Sequence, residues 1–125
     1  MNTHVNFEIS KLLKEKGYDE TTQLIYMTNH TSEVLFENIN GLKHSDGNNP
    51  FCSAPTIAEA VMWLYEKHNI WIYVWKSDIN MTFTLWLQLL NVRGSSPIKV
   101  PLLKIFHTPT EAYEAAITYV LSNLI

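Results

Sequence analysis

Apolar and polar positions change period several times along the chain, and the strongest pattern lies in residues 53–76, SAPTIAEAVMWLYEKHNIWIYVWK. Stepping about 100° per residue from Ile57, the residues Leu64, Ile57, His68, Val61, Tyr65 and Ala58 fall on one broad apolar arc. Ala60 and Met62 sit at its edges, and Glu59, Glu66 and Lys67 lie opposite. Thr56 and Glu59 have the T-x-x-E spacing of a capping box, and Pro55 suits a helix start. Two residues break the phase: Trp63 falls among the polar residues and His68 inside the arc. Asn69 suits a left-handed helix end. Residues 70–75 then alternate, with Ile70, Ile72 and Val74 on one face and Trp71, Tyr73 and Trp75 on the other. Neither face is polar, so the strand is either covered twice or covered once with a sticky second face.

Weaker patterns flank this pair. Residues 6–16 predict a peripheral helix with a narrow face of Ile9, Leu12 and Leu13, closed by Gly17. Residues 24–28 and 34–39 predict a hairpin around 29–32. Residues 41–54, GLKHSDGNNPFCSA, read as one long irregular loop. After a turn at 77–80, residues 82–90 predict a strand with Phe83, Leu85, Leu87 and Leu89 on one face. Its other face carries Trp86, which is expected to join Trp71, Tyr73 and Trp75 in an aromatic strip. Residues 93–96 read as a turn and 102–106 as the last strand, with Pro101 at its start. The final helix opens on a second capping box, Thr108 to Glu111, with Pro109 at its first position. Its expected buried arc is Tyr113, Ala116, Ile117, Val120, Leu121 and Leu124.

The element order is thus α-β-β-α-β-β-β-α. Short turns favour antiparallel pairing, which predicts an α+β fold with one antiparallel sheet of about five strands and the helices mainly on one face. Length fits a single domain over residues 1–125. Hydrophobic content of 46% is enough for a core. A net charge of −3 without a basic run argues against binding nucleic acid through its phosphates. The lone Cys52 excludes an internal disulfide and fits a reducing compartment. No apolar stretch reaches the ~18–20 residues of a membrane span and no secretory signal is visible, so a cytoplasmic protein is expected.

Candidate chemistry is sparse. The 41–54 loop holds His44, Asp46 and Cys52, but no C-x-x-C or H-x-x-x-H spacing supports a metal site. No nucleophile elbow, phosphate loop or zinc-protease pattern occurs. No catalytic, cofactor-binding or metal residue is assigned. Trp63, Trp71, Tyr73, Trp75 and Trp86 are the candidate partner contacts, since interfaces are enriched in aromatic anchors.

The second half has the element order of a double-stranded-RNA-binding domain. That family grips phosphate with basic residues at the start of its last helix, where this chain has Thr108-Pro109-Thr110-Glu111-Ala112-Tyr113-Glu114. Two carboxylates there exclude duplex nucleic acid as a partner. A nearer likeness is carried by FEISKLLKEKGYDE (7–20), SAPTIAEAVMWLYEKHNIWI (53–72) and TPTEAYEAAITYVL (108–121). In these blocks the chain resembles a family of small uncharacterised proteins from phage or prophage regions of Bacteroidetes-type bacteria. The resemblance implies a mobile-element origin and a cytosolic location and brings no functional residues with it. The resulting expectation is a non-catalytic protein-interaction module acting through an aromatic surface. Its partner would be another protein or a second copy in a homodimer. The alternative is a small enzyme or ligand-binding protein that uses the 41–54 loop.

Overall fold

The computed structural model describes residues 3–27, 35–38, 41, 51–76, 83–89, 98–99 and 106–125, with the backbone alone for 27, 75–76, 83–89 and 98–99. The fold is α+β. The chain divides into two compact units, Met1–Ala58 and Glu59–Ile125, with the division in the first turn of a helix.

The first unit begins with α1 (Phe7–Glu15). Asn6 caps it, its Oδ1 accepting from the Ile9 amide at 2.9 Å. At the other end the Tyr18 amide donates to Leu13 O at 2.9 Å and the Gly17 amide to Lys14 O at 3.3 Å. That is a Schellman closure. Gly17 takes the left-handed φ of 92° that it requires, and Tyr18 and Leu13, the two positions whose apolar side chains such a closure favours, are both buried.

Strands β1 (Leu24–Met27), β2 (Leu35–Glu37) and β3 (Phe51–Ala54) form an antiparallel sheet in the order β2-β1-β3. In the register Tyr26 lies opposite Cys52 and Ile25 opposite Ser53. Helix α1 packs against β3. It covers the Tyr26 face: the Phe7 ring meets Tyr26 edge-on at 5.5 Å, and the Tyr26 hydroxyl donates to Val5 O at 2.9 Å. The chain before α1 lies antiparallel to residues 55–57. The Val5 amide donates to Pro55 O, and the Ile57 amide to Thr3 O, both at 2.9 Å.

β3 corrects the expectation of an irregular 41–54 stretch. All four of its residues are buried, so nothing in Phe-Cys-Ser-Ala alternates between apolar and polar, and the prolines on either side read as breakers. The strand forms because β1 offers it a complete edge. Lys14 also donates from Nζ to Phe51 O at 2.9 Å.

The second unit contains α2 (Ile57–His68) from Glu59 onward, β4 (Ile70–Lys76), β5 (Phe83–Leu89), β6 (Ile98–Lys99) and α3 (Pro109–Asn123). Helix α2 starts directly after Thr56. It passes to β4 through Asn69 alone, at φ 56°. The sheet is antiparallel in the order β4-β5-β6, with Ile70 opposite Leu89 and Ile72 opposite Leu87. Thr108 caps α3, accepting from the Glu111 amide at 3.2 Å, with Pro109 in the first turn. Helix α3 packs against β4 and β5. Ile70 and Ile72 are buried while Trp71 and Tyr73 are half-buried, so α3 covers the isoleucine face. The buried row of α3 is Ala112, Ala116, Ile117, Val120 and Leu121. It is narrower than the periodicity predicts, leaving Tyr113 half-buried and Leu124 exposed.

Among the described residues there are thus two three-stranded antiparallel sheets in place of one sheet of about five strands. The difference comes from β3, which completes the first sheet, and from β6, a two-residue strand too short to carry an alternation. Of the strand expected at 102–106, only Phe106 lies within the described residues, and it is buried. Both sheets follow a helix, but the first places its earliest strand at the centre and the second places its middle strand there. The two halves are therefore not copies of one arrangement.

A Cβ at Gly17 would meet nothing within 4 Å, so the cost of a side chain there is backbone strain alone. Gly17→Ala is expected to lose about 1 kcal/mol, read as a fall of several degrees in Tm. Gly17→Asn is expected to lose less. Equal Tm for Gly17→Ala and the parent protein would remove the left-handed closure.

Candidate interaction surface

The helical phase of α2 decides which aromatic residues reach the surface. Ile57, Ala60, Val61, Trp63 and Leu64 are buried, whereas Ala58, Met62 and Tyr65 are exposed with Glu59, Glu66 and Lys67. Relative to the arc expected from apolarity alone, the buried side is turned by roughly 60°. The turn exchanges Tyr65 for Trp63. It places the larger apolar ring inside and leaves the phenol, which needs a polar partner, facing out.

Trp63 therefore does not stand where a partner contact would. It is 7% exposed, and its ring meets His68 edge-on at 4.7 Å and 66°. Its position among charged residues in the helical wheel is misleading, because the ring is buried while Glu59 and Lys67 on either side of it are exposed.

In its place Tyr65 and Met62, one turn apart on α2, are 42% and 43% exposed. Neither stood among the candidate contacts, since periodicity put Tyr65 in the core and Met62 at its edge. Weighting the arc by ring size would have found them. Tyr65 meets Trp71 of β4 edge-on, with centroids 5.3 Å apart at 77°. The exposed stripe of the helix thus runs directly into the strand's second face. There Trp71 and Tyr73 are half-buried. The register sets Trp86 opposite Tyr73, Gln88 opposite Trp71 and Thr84 opposite Trp75. Trp75 and Trp86 are placed by the backbone alone. The surface is therefore an aromatic row that starts on a helix, crosses to a strand and continues in register toward the next strand.

The loop candidates are not brought together. His44 and Asp46 lie outside the described residues. Cys52 is 1% exposed in β3. Burial pushes its thiol above the ordinary value, and the ammonium groups of Lys14 and Lys11 offset this only in part. A protonated, enclosed thiol is neither a ready nucleophile nor a ready metal ligand. His107 is exposed just before α3. Among the described residues no group of three or more His, Cys, Asp or Glu could hold a metal ion. None of the described helices is long and apolar enough to cross a membrane.

Two expectations separate core from surface. Trp63→Ala is expected to destabilise by about 3–5 kcal/mol, as for other buried Trp truncations; denaturant unfolding with an unchanged midpoint would return Trp63 to the surface. Burial also lowers the pKa of His68 below its usual 6.5, so the folded chain favours the neutral imidazole. That contribution to stability is present above the unfolded pKa and is lost as pH falls through the lowered folded value. Unfolding followed from pH 7.5 to 5 should show this loss, reduced in His68→Gln. The same slope in both proteins would assign the effect to other groups.

The chain matches no family model, no curated protein and no solved structure.

Proposed function

We propose that the protein is a non-catalytic interaction module that binds another protein through the Met62–Tyr65–Trp71–Tyr73 surface. The observation that carries this reading is the edge-on, T-shaped contact of exposed Tyr65 with half-buried Trp71. It joins a helix stripe and a sheet face into one aromatic surface at the outside of the second unit. Aromatic rings with polar tips and a flexible thioether are the groups that bind protein surfaces at low entropic cost. The enclosed, protonated Cys52 counts against the alternative of a small enzyme working from residues 41–54. A cytoplasmic location, and the phage or mobile-element origin that the resemblance of the blocks at 7–20, 53–72 and 108–121 implies, belong to the same proposal.

A photo-crosslinking residue at position 65 tests the reading, with the same residue at exposed Thr118 of α3 as control. In lysate of the source cell, position 65 is expected to give one discrete protein adduct and position 118 none. No adduct at either position, or the same ladder at both, would remove the reading.

A further inference from the structure

We draw no further inference here: the strongest candidate, the aromatic surface patch formed where exposed Tyr65 of α2 meets half-buried Trp71 of β4, belongs to the site already described, and nothing in the structure shows what covers it.

Discussion

The geometry of the second unit depends on one backbone angle. Asn69 at φ 56° is the whole connection between α2 and β4. A left-handed residue costs most side chains about 1–2 kcal/mol, and asparagine tolerates it through its short polar side chain. Because the link is a single residue, the phase of the helix and the phase of the strand are locked together. Ile70 and Ile72 turn inward and Trp71 turns toward Tyr65. A longer connection would let the two elements choose their phases independently, and the aromatic row would not be continuous.

The first unit rests on a different device. Its β3 is short and made of small or buried residues, and it is held from three directions. β1 pairs along it, α1 packs on it, and Lys14 reaches a carbonyl at its start. The chain before α1 continues the pairing along residues 55–57 and supplies Val5 O to the buried Tyr26 hydroxyl. The buried Tyr26 hydroxyl thus finds its partner within the unit, as close packing away from water demands. Cys52 sits inside this arrangement as a small apolar group, and its raised pKa is a consequence of that position.

Helix ends were the most legible feature of the sequence. Gly17, Asn69, Thr108 and Pro109 each stand where their stereochemistry predicts, because caps are set by one or two residues. The alternating strands β4 and β5 were legible for the same local reason. β3 and β6 were not. A strand buried on both faces has no polar alternation, and a two-residue strand has no period at all. The candidate surface was half legible. The strand's aromatic face follows from alternation, but the helix contribution was misread because apolarity alone does not distinguish Tyr65 from Trp63. Their difference in size and in polar requirement settles the phase only when the helix is seen packed.

The pairing of residues 3–5 with 55–57 also sets an order of events while the chain is being made. The Thr3 carbonyl waits for the Ile57 amide, and the Val5 amide for the Pro55 carbonyl. Closing a loop of that length is slow compared with winding a helix or joining α2 to β4 through one residue. The first unit therefore closes only once residues 55–57 have been made, well after α1 and β1, which lie between the two paired segments.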